Sequence, residues 1–310
     1  MISTPRPPNV LAGQSFRHWR HWRHGDTLDA ALARAEQGVR AQPTDVHSRW
    51  FLFELLCVLG HWERALKQVQ TCATMDPSLD GTAQAMRGLI RAEHQRDEVF
   101  AGRQMPVPVV DLPNWMAGLA RAIAANANGD HDTADALRAA ALAQAPEAAG
   151  RSNAGAFEWI SDSDTRLGPV CELVAAGSYR WIAFADLRAV TIEAPTRLLD
   201  LVWASAQFTL RGGASAGTAL RGYIPVRYPG STAGTDALRL SRETLWRDVG
   251  VTGVFATGQK TWMTDAGDWS LLDLRDVDFT SASPMAADGS LATGGVGAVD
   301  ATRATTGPAP

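Results

Sequence analysis

The 310-residue sequence contains no run of the roughly 20 apolar residues that a membrane-spanning helix requires, so no membrane span is expected. Cysteine is scarce. Cys57, Cys72 and Cys171 are odd in number and far apart, a pattern that argues against a disulfide framework and suits reduced thiols in the cytoplasm. No sign of charge dominates: 29 Lys and Arg face 33 Asp and Glu, a formal net charge of −4, which removes the electrostatic case for nucleic acid. The first 24 residues hold neither an apolar core nor a small-residue cleavage site, so no secretory signal is expected. Signature motifs are missing as well. There is no GxSxG, no GKS/T phosphate loop and no HExxH, and all seven histidines fall at or before His131. Gly212-Gly213 lacks the strand–GxGxxG–helix context of a dinucleotide site.

The composition is otherwise that of an ordinary globular protein, 45% hydrophobic and 20% charged. Eleven tryptophans are many for this length. Most are expected in the core, and some are candidate recognition anchors. The most apolar stretch is Trp50–Ala65, WFLFELLCVLGHWERA. Leu52, Leu55, Leu56 and Leu59 follow the i, i+3, i+4, i+7 spacing of one helical face. Phe51, Phe53, Cys57 and Val58 fill most of the remaining circumference, so the helix must be covered on several sides.

Around this stretch a repeat emerges. Gly25, Gly60 and Gly129 each precede an alanine by five residues (Ala30, Ala65, Ala134), with spacings of 35 and 69. Pro43, Pro77 and Pro146 keep the same register, at 34 and 69. Glycine permits a tight turn between helices, alanine lets them approach, and proline ends the second helix. A period near 34 is the tetratricopeptide-like length, with one unit degenerate between the last two markers. We therefore expect a tetratricopeptide-like helical repeat domain over residues 25–149, with further helices at 82–100 and 114–126 and an extended linker, MPVPVVDLP, at 105–113. It is preceded by a disordered basic extension, 1–24. Within that, RHWRHWRH at 17–24 spaces its histidines and arginines three apart. This segment reads either as a solvated helix start, with Trp19 and Trp22 touching the first repeat, or as a metal or anionic-surface contact.

The pattern changes at Gly150. SYRWIAF (178–184), AVTIEA (189–194), LVWASAQFTLRG (201–212) and GYIPVRY (222–228) read as strands separated by turn residues. DALRLSRETLW (236–246) and WSLLDLRDVDF (269–279) fit either helix or strand. A mainly β or α+β domain is expected over 150–279, followed by a disordered Ala/Gly/Ser/Thr tail at 280–310. Its densest polar group is Glu158, Asp162, Asp164, Arg166 and Glu172. The bland reading makes Asp162 and Asp164 turn caps that pair with Arg166. The alternative is a metal- or carboxylate-dependent hydrolase built on the acidic loop 158–172. Arg227, held between prolines in IPVRYPG, is expected to fork onto a buried acid, Asp162, Asp164 or Asp200, and so lock the two halves of this domain. No enzyme, cofactor or metal site is expected from the residues alone.

Six stretches carry a resemblance: LFELLCVLGHWERA at 52–65, RAEHQRDEVFAGRQMP at 91–106, FEWISDSDTRLGPVCEL at 157–173, TRLLDLVWASAQFTLRGG at 196–213, IPVRYPGS at 224–231 and LRLSRETLW at 238–246. In order and spacing they resemble the ImpE/TagJ (SciE-type) family of accessory proteins of bacterial type VI secretion, over about residues 25–279. The resemblance implies a cytoplasmic, non-catalytic, two-domain protein. It also implies a protein partner, the N-terminal helix of the small contractile-sheath subunit (the TssB/VipA type), near the ClpV unfoldase. The His/Arg/Trp-rich start, the long tail and His61 depart from the family pattern. Residues and resemblance meet in one expectation: stacked helices leave a groove for an amphipathic partner helix, with Trp50, Phe53, Trp62 and Trp115 forming its anchors or its floor.

Overall fold

In the computed structural model the described residues are 27–212, 217 and 219–279. The basic extension, Gly25 and the C-terminal tail lie outside them. The first half of the described chain is helical: α1 (Leu28–Ala41), α2 (Val46–Val58), α3 (Trp62–Met75), α4 (Asp80–Phe100), α5 (Asn114–Ala127) and α6 (His131–Leu142). Their starts are legible in the chain. Thr27 accepts from Ala30 N, Asp45 from His47 N and Ser48 N, and Asp130 from Thr133 N, so short polar side chains take up the orphan donors of α1, α2 and α6. Gly60 and Gly129 adopt left-handed conformations (φ +73° and +80°) in the turns between α2 and α3 and between α5 and α6. Ala65 and Ala134 are fully buried, while Ala30 is half-buried. A repeat turn would be due near residue 95, but α4 runs unbroken for 21 residues through that position.

The second half forms three sheets. The largest has nine strands in the order β1-β6-β5-β9-β8-β7-β14-β2-β3. Those strands are β1 (Val107–Pro108), β2 (Gly150–Ser152), β3 (Gly155–Phe157), β5 (Val170–Ala175), β6 (Ser178–Ala183), β7 (Leu187–Ile192), β8 (Trp203–Leu210), β9 (Ala219–Pro225) and β14 (Asp276–Phe279). β12 (Thr261–Thr264) pairs with β4 (Ile160–Asp162) and β13 (Gly267–Ser270), and β10 (Thr244–Val249) forms a hairpin with β11 (Gly253–Gly258). Both ambiguous segments contain two kinds of structure. Asp236–Arg239 is a short helix, α7, that leads into β10, and 269–279 passes from β13 through a 3₁₀ turn to β14. The linker at 105–113 is more than a connection. Val107 and Pro108 pair in parallel with Arg180 and Trp181, so the helical half supplies an edge strand to the large sheet.

The sheet is buried on both faces. Residues alternate along β5, with Val170 and Val174 in one apolar cluster and Cys171, Leu173 and Ala175 in the other. The first cluster also holds α2, α3 and α4 side chains, with Tyr179, Trp181 and Trp203 from the sheet, so helices and sheet share one core. The second gathers Phe184, Phe208, Trp262 and Phe279 on the opposite face. α4 comes close to the β5–β6 turn. A side chain at Gly88 would come within 3.0 Å of Gly177 Cα, so two glycines permit the contact.

Candidate functional site: a polar seam between helices and sheet

Where the two halves meet, the core is not purely apolar. Glu172 on β5 faces Arg96 on α4, which forks onto it through Nε (2.7 Å) and Nη2 (3.0 Å). Lys260, fully buried just before β12, joins Glu172 Oε2 (2.7 Å) to Asp162 Oδ2 on β4 (2.8 Å). Tyr179 donates to Glu172 Oε1 (2.6 Å) and Tyr228 to Asp162 Oδ1 (2.7 Å). Two cations and two carboxylates thus compensate each other, and hydroxyls occupy more of the carboxylate lone pairs. Burial acts to raise the Glu172 carboxyl, but Arg96 and Lys260 outweigh it and hold the group well below the usual carboxylate range. Burial outweighs the single neighbouring cation, Lys260, at Asp162, and with Asp164 close by it pushes the carboxyl up to about 6. Alongside, Glu93 on α4 accepts from Trp203 Nε1 at 2.7 Å, and Gln95 accepts from Tyr179 N at 2.9 Å. Residues 91, 93, 95 and 96 of α4 therefore all reach the β-rich half, Arg91 through Gly177 O.

Arg227 is placed differently from the expected acid fork. It donates Nη1 to Val58 O (2.5 Å) and Arg239 O (2.8 Å), and Nη2 to Cys57 O (3.3 Å). It takes none of Asp162, Asp164 or Asp200. Each of those acids is already occupied: Asp162 by Lys260, Asp164 by Arg166, and Asp200 by Arg197 and the backbone N–H of Thr196 and Arg197. What Arg227 caps instead is the C-terminal end of α2, where unsatisfied carbonyls and the helix dipole favour a cation. Lacking an acid partner, its guanidinium is lowered by burial to about 10. The lock it forms therefore joins the end of α2 to the sheet and, through Arg239 O, to α7 of the β-rich half. A matching contact holds the start of α1, where Leu28 N donates to Asp236 Oδ2 at 2.7 Å.

Asp164 accepts from Arg166 Nε and N and from Ala256 N, and Asp162 Oδ1 accepts from Asp164 N. Arg166 also lies over the Phe255 ring, 4.3 Å from its centroid. Glu158 is exposed and stands apart, its backbone N–H donating to Asp265. The hydrolase alternative required Asp162, Asp164 and Glu172 to converge on an open pocket. Asp162 and Glu172 do meet, but around Lys260 and out of solvent, while Asp164 turns to Arg166. Among the described residues no group of three or more His, Cys, Asp or Glu could hold a metal ion. A cavity beside the seam, about 40 Å³, is lined by Trp62, Glu93, Arg96, Arg227 and Thr232 among others, and has room for a few waters only.

Of the four candidate anchors, Phe53 is fully buried, and Trp50 and Trp115 are 2% and 7% exposed, all within the shared core. They floor the helical layer and present no surface. Trp62 is half-buried and stacks on Trp203, centroids 5.7 Å apart. α2 and α4 therefore pack against the chain's own C-terminal half, where the expected groove would otherwise lie. The exposed large apolar side chains among the described residues lie elsewhere: Met105, Val107 and Val110 in the linker, Leu142 at the end of α6, Leu245 and Trp246 on β10, and Val251 at the tip of the hairpin, 90% exposed. Alternation does not mark β10, since TLWRDV mixes apolar and charged residues on both faces. Its placement is fixed by contacts invisible in the sequence. Trp246 Nε1 donates to Ser163, and Asp135 on α6 accepts from Val251 N and Thr252 N at the hairpin turn. Those backbone donors hold the Asp135 carboxyl well below its usual range.

Comparison with known proteins places this architecture. A family model described as "ImpE protein" matches residues 154–278, the stretch that contains Asp162, Glu172, Arg227, Tyr228 and Lys260. The type VI secretion system accessory component TagJ of Pseudomonas aeruginosa is 42% identical over 253 residues, 81% of this chain and 87% of that protein. The crystal structure of protein VPA1032 from Vibrio parahaemolyticus matches with a TM-score of 0.75 at 26% identity, over 82% of this chain and 94% of that one.

Proposed function

The chain belongs to the ImpE/TagJ family, and from that premise we propose that it is a non-catalytic accessory component of a bacterial type VI secretion system. In this reading it works in the cytoplasm, beside the ClpV unfoldase, and binds the N-terminal helix of the small sheath subunit, the TssB/VipA type. The observation that carries it is the 42% identity to TagJ, which spans helical and β-rich halves together. The chemistry of the seam is compatible with an adaptor. Its bridging carboxylates Glu172 and Asp162 are matched to Arg96 and Lys260, an arrangement that holds two layers in register. Among the described residues no helix is long and apolar enough to cross a membrane.

We read the α2–α3 and α5–α6 pairs as tetratricopeptide-like units with the intervening unit recast as α4. Because the sheet covers α2 and α4, the partner surface falls at the edges of that cover: at Trp62, and on the β10–β11 hairpin with Leu245, Trp246 and Val251. An apolar helix face of the partner would be read by such exposed side chains. The test is capture of a peptide corresponding to the sheath subunit's N-terminal helix by the full chain, by Trp62→Ala and by Trp246→Ala. Loss of about tenfold or more in affinity in either variant supports the reading. Failure of the unaltered chain to bind that peptide or the intact sheath subunit overturns it.

A further inference from the structure

Among the described residues Glu54 is the buried acid beside the seam that makes no ion pair. It sits midway along α2, fully buried, on the helix that packs against the 3₁₀ turn Leu198–Leu201 of the β-rich half. Oε1 accepts from Trp50 Nε1 at 3.1 Å, and Oε2 has no hydrogen-bond partner. The charged groups that act on it from the facing turn are Arg197 and Asp200. Arg197 is committed to Asp200 (Nε to Oδ1, 3.0 Å), and Asp200 in turn holds the turn's backbone through Thr196 N and Arg197 N. From its own helix it feels Trp50 and Cys57. Arg227 and Glu93 also act on Cys57, but Arg227 is occupied by carbonyls and Glu93 by Trp203. An ionised carboxylate here would be buried without a counter-charge, which folded proteins avoid by keeping the group neutral or by opening to solvent.

We propose that Glu54 is a proton-operated latch: protonated, it lets α2 seat on the 197–201 turn, and on losing its proton it loosens that contact so that water or Arg197 can reach the charge. Burial, the largest influence on the group, raises it to about 8, so the device would operate at the alkaline edge of the physiological range. Ionisation would shift Arg197 from Asp200 toward Glu54 and release the backbone donors that Asp200 holds. The helical layer and the β-rich half would then move relative to each other without unfolding.

The test is hydrogen exchange of the full chain, followed by mass spectrometry from about pH 6.5 to about pH 9.5 and corrected for intrinsic rates. Peptides covering 50–58 and 196–202 should gain at least about tenfold in exchange at the alkaline end. Glu54→Gln and Glu54→Met, both neutral, should hold those segments closed throughout; Met brings no donor that would itself need a partner. An equal pH response in the variants and the unaltered chain overturns the proposal. So does a flat response in the unaltered chain, or failure of both neutral variants to fold, because the closed state needs no charge at this position.

Discussion

The helical and β-rich halves are held by different means. Inside the helical layer the contacts are alanine, leucine and aromatic side chains: Ala31, Leu52, Leu55, Val69 and Leu119 are buried with no polar partner among them. The buried charges of that half, Glu54, Glu93, Arg96 and Arg138, face the other half or come close to it; Arg138, for example, donates to Thr252. The β-rich half keeps Asp162, Asp164, Glu172, Arg227 and Lys260 inside. The apolar packing within the helices tolerates slippage between similar side chains. The hydrogen-bonded ion pairs at the seam do not, because each has one geometry. The difference suggests that the seam sets how the two halves sit together, while the apolar core supplies the stability.

That contrast is broken most severely at Lys260. Replacing it with Met leaves Asp162 and Glu172 facing each other in the core, and should cost about 3–5 kcal/mol by urea denaturation, or prevent folding. An equal-sized change among the helical leucines, such as Leu52→Met, should cost less than about 1.5 kcal/mol. Next is Arg227→Gln, which strips a cationic cap from Cys57 O and Val58 O and leaves buried acceptors short of donors, for a loss of about 2 kcal/mol. Trp62→Ala, which removes the stack on Trp203 from a half-buried position, should cost about 1–2 kcal/mol.

Titration sharpens the same comparison. Glu54 is held at about 8 against an ordinary 4.5, so the folded chain keeps a proton that the unfolded chain releases between those values. Its contribution therefore falls as pH rises across that window, by about 1 kcal/mol per pH unit, and Glu54→Gln should flatten the slope of stability against pH. Glu172 runs the other way. Held below its ordinary range, it contributes stability at neutral pH that is lost only as pH falls through that range toward its folded value. The smallest effect is expected at Trp246→Ala, within about 1 kcal/mol of the unaltered chain in stability, since much of that ring already lies in water.

Much of the architecture can be read along the chain, because it rests on local signals. Helix caps at Thr27, Asp45 and Asp130, the glycine turns at 60 and 129, and the alternation through β6, β7 and β8 each leave a mark within a few residues. The polar seam leaves no such mark. Arg96 and Glu172 are 76 positions apart, Lys260 and Asp162 98, and Arg227 and Cys57 170. An acid-rich stretch such as Asp162–Glu172 announces buried charge without naming its counter-charges. For that reason charge alone points Arg227 to a buried acid such as Asp162, Asp164 or Asp200 and not to the end of a helix far along the chain. Among Trp50, Phe53, Trp62 and Trp115 only Trp62 keeps partial exposure, and this is set by how the sheet and helices pack, which no local pattern shows.

The central claim is that Arg96 and Glu172 bind the helical layer to the sheet as one unit. A double-mutant cycle of Arg96→Met and Glu172→Gln, measured by urea denaturation of the full chain, tests it directly. The account predicts a single transition and a coupling energy of about 2 kcal/mol or more. Additive losses, or two separate transitions for helices and sheet, would contradict it.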